Sequence, residues 1–315
     1  MSGFAALRER LRLPLIAAPM FRVSGVELVV AACRQGVIGA FPTANCRSVE
    51  ELDAWLSAMR AEGLVAPWCA NLIVHRSNPW MRDDLAVLLR YSPEIVITSV
   101  GSPAEVVGPL HDAGALVLAD VASIRHAERA VAEGADGLVL LTAGAGGPTG
   151  WLNPFAFVRA VRRWFDGPLV LAGGIGDGQA LAAANALGCD LGYMGTRFIA
   201  TTESMAEPSY KRMVVESGAD DVLLTRAFTG LQTNMLRPSI VAAGLDPENL
   251  PDRGGIDVAT DLAAGGPRRW RDIWSAGHSV SLVSGVVDVA DLVLSVAAEY
   301  ESCKWEMHEC RPPSA

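Results

Sequence analysis

The segment AVAEGADGLVLLTAGAGGPTGW, residues 130–151, contains the pattern that decides the fold. An Ala-rich amphipathic stretch ends at Gly134, and the apolar run DGLVLLT (136–142) follows it directly. A glycine just past a helix supplies the left-handed residue with which many helices end, and an uninterrupted apolar run is typical of a strand buried on both faces. The segment therefore predicts a helix that leads into a strand of a parallel sheet.

The same unit recurs along the chain up to about residue 200. Gly36, Gly114 and Gly188 each end an Ala-rich stretch and precede an apolar run. The apolar runs, separated by helix-length spacers, number about eight and cover residues 14–20, 37–41, 68–74, 94–100, 115–121, 136–142, 168–175 and 190–196. Eight strands close a TIM (β/α)8 barrel. A doubly wound open sheet is the alternative, but it usually has a Gly-rich turn after its first strand, which this sequence lacks.

The sequence changes character after residue 200. Turn-rich stretches such as PENLPDRGG alternate there with short helical pieces, and residues 203–217 form a predicted helix. We therefore predict an α/β barrel from residues 1–200 plus a C-terminal helix at about 278–300. Residues from about 201 to 277 form a smaller, mostly helical cap that holds the substrate region.

Composition narrows the class of protein. Half of the 315 residues are hydrophobic and only 19% are charged, so the chain can bury a large core. The net charge of −9, without a basic stripe, argues against nucleic acid as the main partner. No apolar run reaches the about 18 residues of a membrane span, and no secretory signal is recognisable, so we expect a cytoplasmic protein. The tail with Cys303, His308 and Cys310 offers no fourth ligand, so we predict no metal site.

The residues at the ends of the predicted strands point to the chemistry, because active sites of this fold lie at the C-terminal ends of the strands. Asn71, Ser99 and Asp120 end three of the runs. Asn71 either binds the edge of a heterocycle or is an ordinary loop amide. Glycines and Thr196 follow the last two runs, where this fold commonly binds phosphate. The sixth run ends in TAGAGGPTGW, whose glycines favour the close approach of a flat ligand to the backbone.

Several motifs resemble those of one known family. LPLIAAPM, ANLIVHRSNP, GADGLVLLTAGAGG, LVLAGGIGDG, MGTRFIATTES and IWSAGHSV are similar, in this order, to segments of the FMN-dependent nitronate monooxygenases. The resemblance covers nearly the whole chain and implies a TIM barrel whose cap covers FMN. It also implies a set of cofactor-binding residues, namely Pro19, Met20, Asn71, Ser99, Asp120, Gly146, Gly147, Gly173, Gly174, Gly195 and Thr196.

One position departs from the family pattern. The sixth loop of the family typically reads AGGHxG, and its histidine is the usual catalytic acid or base; here Pro148 occupies that position. Proline has no titratable group and no backbone N–H. A neutral nitroalkane must lose a proton before it is oxidised, whereas a preformed nitronate is already deprotonated. The sequence therefore favours a nitronate, or a related small carbanion, as the substrate.

Other residues are candidates for the remaining roles. His278 is the candidate replacement acid or base, and His75 either faces the pocket or is a structural loop histidine. His111 and His126 lie in predicted outer helices. Arg197 and Lys211 either orient an anionic substrate or, for Arg197, form an ion pair with Glu203 or a nearby carboxylate. The candidates for a substrate pocket, with core packing as the alternative, are Phe21, His75, Trp151 and Met235.

Three functions are compatible with these residues. The first is an FMN-dependent oxidoreductase that oxidises alkyl nitronates or related small carbanionic substrates with O2. The second is an NAD(P)H-dependent flavin reductase of quinones or enoyl substrates in a biosynthetic pathway. The third is a flavin-binding protein that has lost catalysis, which the presence of Pro148 motivates. The family resemblance also makes a homodimer an expected assembly.

Overall fold

Eight parallel strands form a closed barrel in the computed structural model, which describes residues 3–262 and 272–309, with side chains for 3–260 and 272–303. The strands of the described chain are β1 (Leu15–Ala17), β2 (Ile38–Pro42), β3 (Trp68–Ile73), β4 (Ile95–Ser99), β5 (Leu116–Val121), β6 (Gly137–Leu141), β7 (Gly147–Pro148), β8 (Leu169–Ala172), β9 (Leu191–Met194), β10 (Val222–Thr225) and β11 (Thr233–Leu236). The barrel has the order β1-β2-β3-β4-β5-β6-β8-β9, and β9 pairs with β1 to close it. The predicted TIM barrel is confirmed.

Helices alternate with the barrel strands and surround them. In the described part of the chain they are α1 (Gly3–Arg8), α2 (Val26–Arg34), α3 (Val49–Ala61), α4 (Met81–Tyr91), α5 (Ala104–Asp112), α6 (Ile124–Ala132), α7 (Pro154–Arg162), α8 (Gly178–Leu187), α9 (Thr196–Ile199), α10 (Pro208–Glu216), α11 (Arg237–Ala242), α12 (Val258–Leu262) and α13 (Val289–Glu309). Gly134 and Gly188, which were predicted to end helices, have φ values of +97° and +108° and so adopt the left-handed conformation.

The interior of the barrel is apolar along most of its length and is lined by polar residues at the C-terminal ends of the strands. Side chains alternate between the two faces of a strand, and Leu118 of β5 packs in the interior with Ile97 of β4 and Val139 of β6. The same alternation turns Asp120 inward, two residues further along β5. The apolar layers are the core of the barrel, so the polar end of the interior is the place where a ligand can bind.

A small antiparallel sheet of order β10-β11-β7 joins the sixth barrel loop to the segment after residue 200. Thr233 pairs with Pro148, and Asn234 pairs with Gly147. The sequence does not predict this sheet, because β7 has only two residues and no alternating pattern. The sheet fixes the sixth loop, so the residues of that loop have defined positions at the end of the barrel.

The C-terminal helix begins later than predicted. Residues His278–Leu282 form a short 3-10 helix, and α13 begins only at Val289, so the predicted start at about 278 is wrong. The carboxylate of Asp288 accepts a hydrogen bond of 2.7 Å from the backbone N–H of Asp291, which is the bond of an N-terminal helix cap. The helix predicted over 203–217 likewise begins later, at Pro208. The division of the chain into barrel and cap stays a prediction.

Candidate functional site

A cavity of about 610 Å³ lies at the C-terminal ends of the barrel strands. Its walls come from strand ends, the following loops and residues after 200. The volume falls in the range of small-molecule and cofactor sites. Thirteen of the residues predicted to have a catalytic, cofactor-binding or substrate-binding role lie on its wall: Pro19, Met20, Phe21, Asn71, Ser99, Asp120, Gly146, Gly147, Pro148, Gly173, Gly174, Gly195 and Thr196. Their contact with a cofactor stays a prediction.

Asn71 and Ser99 form a fixed polar pair on neighbouring strands. The hydroxyl of Ser99 donates a hydrogen bond of 3.1 Å to Oδ1 of Asn71, and both side chains are buried. Because the amide oxygen is engaged, the orientation of the amide group is defined. Its Nδ2 group is left to donate a hydrogen bond toward the cavity. This arrangement suits the carbonyl or ring-nitrogen edge of a heterocycle.

Asp120 is the acidic residue at the floor of the cavity. Its Oδ1 atom is buried and has no hydrogen-bond partner among the described residues. Burial raises the pKa of this carboxyl group to about 7, because water no longer solvates the charged form. The pKa of the nearby Tyr193 hydroxyl is also raised, by burial and by the neighbouring Asp120. Near neutral pH both the neutral acid and the carboxylate of Asp120 are therefore populated.

The glycines of the cavity wall have two different functions. A Cβ atom on Gly146 would lie 2.8 Å from the backbone nitrogen of Gly277, so this glycine permits the close packing of two loops. Gly147 and Gly174 have φ values of +70° and +81°, and a Cβ atom on either would meet no atom within 4 Å. Those two positions leave open space beside the backbone, which a ligand can approach closely.

The end of β9 is held against the first strand and against the loop before the 3-10 helix. A Cβ atom on Gly195 would lie 3.3 Å from Sδ of Met20. The hydroxyl oxygen of Thr196 accepts a hydrogen bond of 2.9 Å from the N–H of Gly277, and its proton is free to be donated elsewhere. These contacts fix the backbone on which a phosphate group was predicted to bind.

Pro148 lies on the cavity wall, half-buried, in the edge strand β7. An edge strand tolerates proline, which lacks the N–H that a central strand needs. The N–H of Thr149 donates to the carbonyl of Gln232 at 3.0 Å, and Nδ2 of Asn234 donates to the carbonyl of Ala145 at 2.8 Å. The loop is thus attached on both sides of Pro148, and this position supplies no group that can exchange a proton.

The structure does not bring His278 or His75 to the cavity wall. His278 is exposed, its backbone N–H donates to the carbonyl of Gly144, and its ring lies so close to Gly144 that a Cβ atom there would be 2.9 Å from Nδ1. His75 hydrogen-bonds through Nδ1 to Ser77 at 2.7 Å, and Ser77 accepts from the N–H of Val258. Both histidines have structural contacts.

Two of the residues predicted for a substrate pocket also lie elsewhere. Trp151 is 71% exposed and is not part of the cavity wall. Met235 is fully buried in a cluster with Phe228, Ile240 and Ile273, which is ordinary core packing. Phe21 does line the cavity. The position of a residue in the sequence does not by itself distinguish a pocket residue from an exposed tryptophan or from a methionine of the core.

The predicted anion-binding cations have structural roles. Arg197 donates to the carbonyl of Gly176 at 3.0 Å, and Lys211 donates to the carbonyls of Thr201 and Ser204 at 2.7 and 2.9 Å. Neither side chain lines the cavity. The ion pair suggested between Arg197 and Glu203 is not formed; Glu203 accepts from the backbone N–H of Val289 instead.

Sequence reasoning missed three aromatic residues of the cavity wall. Tyr193 lies on the inner face of β9, where the alternation with Leu191 was a signal that could have identified it. Tyr210 and Trp274 stack with ring centroids 5.0 Å apart, and the Tyr210 hydroxyl donates to the carbonyl of Ser275. They follow the barrel in sequence, so an analysis of strand ends does not find them. The stack adds an apolar wall opposite the barrel.

The architecture and the site define an α/β-barrel enzyme with a cofactor-sized cavity at the strand ends. Comparison with known proteins identifies the family. The model of the family described as nitronate monooxygenase matches residues 48–246. A nitronate monooxygenase of Paraburkholderia phytofirmans is 33% identical over 295 residues, which cover 79% of this chain and 80% of that protein. The chain belongs to the nitronate monooxygenase family, a family of flavin-dependent oxidoreductases, and is an enzyme.

Two further similarities are more distant. A (3aS,4S,5R,7aS)-5-hydroxy-7a-methyl-1-oxo-octahydro-1H-indene-4-carboxyl-CoA dehydrogenase of Mycobacterium tuberculosis is 27% identical over 231 residues. That alignment covers 72% of this chain and 64% of the relative. The solved structure of a nitroalkane oxidase from Streptomyces ansochromogenes superposes with a TM-score of 0.83 at 24% identity, over 96% of this chain and 99% of that one. This last comparison supports the fold.

The residues of the cavity fit a flavin. A flavin ring needs hydrogen-bonding groups along one edge, and Asn71 and the unpartnered Asp120 supply them at the floor. Its phosphate needs accessible backbone N–H groups, and the open glycine at 174 leaves room for them. Among the described residues, no group of three or more His, Cys, Asp or Glu residues is arranged to hold a metal ion. Cys310 and the side chain of His308 lie outside the described residues.

A search for membrane-crossing helices gives a negative result for the described part of the chain. No helix there combines the length and the apolar character that a bilayer span requires.

Proposed function

We propose that the protein is an FMN-dependent oxidoreductase that oxidises alkyl nitronates, or related small carbanionic substrates, with O2 as the co-substrate. The observation that carries this proposal is the cavity at the end of the barrel, whose wall contains every residue predicted to bind FMN. Membership in the nitronate monooxygenase family also supports it. The family relatives favour this function over a reductase of quinones or enoyl substrates and over a protein without catalysis.

In this proposal the floor of the cavity binds the ring of the cofactor, and the ends of the last two barrel strands bind its phosphate. Nδ2 of Asn71, oriented by the hydroxyl of Ser99, donates to the ring. The backbone at Gly173, Gly174, Gly195 and Thr196 receives the phosphate. Pro19, Met20, Asp120, Gly146 and Gly147 complete the contacts. When bound, FMN supplies the two-electron chemistry, and the protein supplies position and electrostatics.

The substrate assignment rests on Pro148. The loop that lines the cavity offers no acid or base at this position, and neither His75 nor His278 replaces it, because both lie off the cavity wall. His126 does line the cavity, but it is exposed and lies on the outer helix α6. A substrate that arrives as an anion needs no such base. Phe21, Tyr210 and Trp274 give the cavity an apolar wall that suits a short alkyl group and excludes water.

The assembly and location are also proposals. We infer a cytoplasmic protein, which is supported by the five described cysteines, all of them free thiols, since a reducing compartment keeps thiols in that state. We also infer a homodimer, which sedimentation or light scattering measures directly. O2 is favoured over NAD(P)H as the co-substrate by the family relatives.

The test is turnover by the purified protein together with the identity of its flavin. We expect mass spectrometry of the flavin released by heat to give FMN. Oxygen consumption should be rapid with propyl-2-nitronate and slow with neutral 2-nitropropane, because the latter must first lose a proton. Equal rates with both substrates would contradict the role assigned to Pro148. Rapid oxidation of NADH or NADPH instead of the nitronate would overturn the substrate assignment.

A further inference from the structure

The floor of the cavity contains a buried acidic atom without a partner. Oδ1 of Asp120 is shielded from solvent and makes no hydrogen bond to any described residue. Buried polar atoms in folded proteins are almost always hydrogen-bonded, because an unpaired one costs free energy. Asp120 also lines the cavity. An uncompensated buried oxygen disfavours the carboxylate, and the side chain as a whole is only partly buried, so a molecule in the cavity can reach the carboxyl group from the cavity side.

The groups around Asp120 do not favour its charged form. Cys69 of β3 and Tyr193 of β9 are the titratable groups that face it, and burial raises the pKa of both, so that both are neutral near pH 7. Burial alone accounts for the raised pKa of Asp120, and no cation offsets it. The other groups of the wall that can be charged near neutral pH are His126 and Arg129 on α6 and Glu133 directly after it, and Arg129 is paired with Glu133 at 2.8 Å.

A neutral carboxylic acid is a hydrogen-bond donor, whereas a carboxylate is only an acceptor. This difference decides what Asp120 can do for a ring bound at the floor. Resting on the proposed function, we propose that Asp120 is a proton-linked positioning residue that holds the flavin as the neutral acid and donates its carboxyl proton to an acceptor atom of the ring. Ionisation of Asp120 removes the donor and places a negative charge beside the lone pairs of that acceptor. Flavin binding is then accompanied by proton uptake when Asp120 is ionised in the free protein.

The direction of the pH dependence follows from linkage. A hydrogen bond that requires the protonated form raises the pKa of Asp120 in the complex above its value of about 7 in the free protein. FMN affinity is therefore highest below the free pKa and falls as the pH rises above it. The opposite dependence would arise if the carboxylate accepted a hydrogen bond from a ring N–H.

The test compares FMN affinity in three proteins by quenching of flavin fluorescence at several pH values. Asp120→Asn keeps the shape and a donor but does not titrate. Asp84→Asn is the matched control, because Asp84 is a second buried carboxyl group whose pKa burial raises, to about 6, and it does not line the cavity. The phosphate of FMN titrates equally in all three measurements, so it cancels from the comparison.

We expect the wild-type protein and Asp84→Asn to lose about tenfold more affinity than Asp120→Asn between about pH 6.5 and about pH 8.5. The same pH dependence in the wild type and in Asp120→Asn would overturn the inference. So would a wild-type affinity that rises with pH relative to Asp120→Asn.

A second measurement needs no variant. Infrared difference spectra of the wild type at about pH 7.5, with FMN minus without it, should show the gain of a protonated carboxyl band, and the absence of that band would overturn the inference. If the wild type binds no FMN at any pH, the proposed function fails and this inference with it. FMN binding without the pH difference leaves the proposed function standing and refutes only the role of Asp120.

Discussion

Pro148 lies opposite Thr233 in the small antiparallel sheet, so a strand from beyond residue 200 holds the sixth barrel loop at the edge of the cavity. The hydrogen bonds from Thr149 to Gln232 and from Asn234 to Ala145 reinforce this attachment. Position 148, where the resemblance to the family implies a histidine, is thus fixed relative to the floor of the barrel. A side chain introduced there has a defined location, which makes position 148 the place to test the proton chemistry.

We expect Pro148→His to accelerate the oxidation of neutral 2-nitropropane by about a hundredfold, since a positioned acid or base commonly contributes a factor of this size. Oxidation of propyl-2-nitronate should change much less, because that substrate needs no base. The measurement is steady-state oxygen consumption with each substrate. Pro148→Ala serves as the control for loss of the ring alone. A Pro148→His protein that binds flavin but shows no gain on 2-nitropropane would contradict this explanation.

Replacement of Asn71 tests the polar pair at the floor. Asn71→Ala removes the hydrogen bond that we propose between Asn71 and the ring. A hydrogen bond of this kind contributes about 1 kcal/mol, so FMN affinity should fall by roughly a factor of five to ten. Ser99→Ala leaves the amide in place but removes the bond that orients it, and a smaller loss is expected. Fluorescence titration measures both. If Asn71→Ala binds FMN as tightly as the wild type does, the assignment of Asn71 to the ring is wrong.

The neighbouring glycines at 173 and 174 should respond differently to alanine. A Cβ atom on Gly173 would lie 2.5 Å from the hydroxyl oxygen of Thr142, so Gly173→Ala introduces a clash in addition to backbone strain. Gly174 has φ +81° and open space, so Gly174→Ala introduces strain alone, about 1 kcal/mol, and a methyl group beside the predicted phosphate. Thermal unfolding without FMN should show the larger destabilisation in Gly173→Ala.

The two variants Gly173→Ala and Gly174→Ala also distinguish an effect on protein stability from an effect on FMN binding. Gly174→Ala should weaken FMN binding beyond what its small loss of stability explains, because the methyl group occupies space that the ligand needs. Two results would contradict the roles assigned to these glycines. One is that Gly173→Ala and Gly174→Ala unfold at the same temperature without FMN. The other is that Gly174→Ala binds FMN as tightly as the wild type does.

His278→Ala tests whether His278, a candidate acid or base from its sequence position, takes part in catalysis. The side chain is exposed and packs on Gly144 outside the cavity wall, so we expect the pH profile of nitronate oxidation and the FMN affinity to stay close to those of the wild type. Stability should fall by no more than about 1 kcal/mol. Loss of one limb of the pH profile would show that His278 takes part in proton transfer after all.

The barrel could be predicted from the sequence because each of its strands is a separate apolar run that can be recognised without knowledge of the other strands. Gly134 followed by DGLVLLT shows the pattern within a dozen residues. Strand ends then identified Asn71, Ser99 and Asp120, because closure of a barrel brings the ends of all strands together. For these residues, the end of a predicted strand in the sequence is also a position on the cavity wall in the folded barrel.

The remaining features depend on packing between distant segments. A two-residue strand at Gly147–Pro148 becomes visible only through its partner at Thr233, 85 residues later (233 − 148 = 85). The ring of His278 lies close to Gly144, and the stack of Tyr210 on Trp274 brings together two separate parts of the chain. The missing partner of Asp120 is a property of the folded cavity. Neither composition nor spacing encodes these relationships locally.

The central claim is tested most directly by mixing the flavin-loaded protein with propyl-2-nitronate in the absence of oxygen and recording the visible absorption of the flavin. Reduction of the flavin within the mixing experiment is the predicted result, with the original spectrum restored on admission of O2. If the spectrum does not change with the nitronate, while dithionite reduces the same sample, the protein does not oxidise nitronates and the account is wrong.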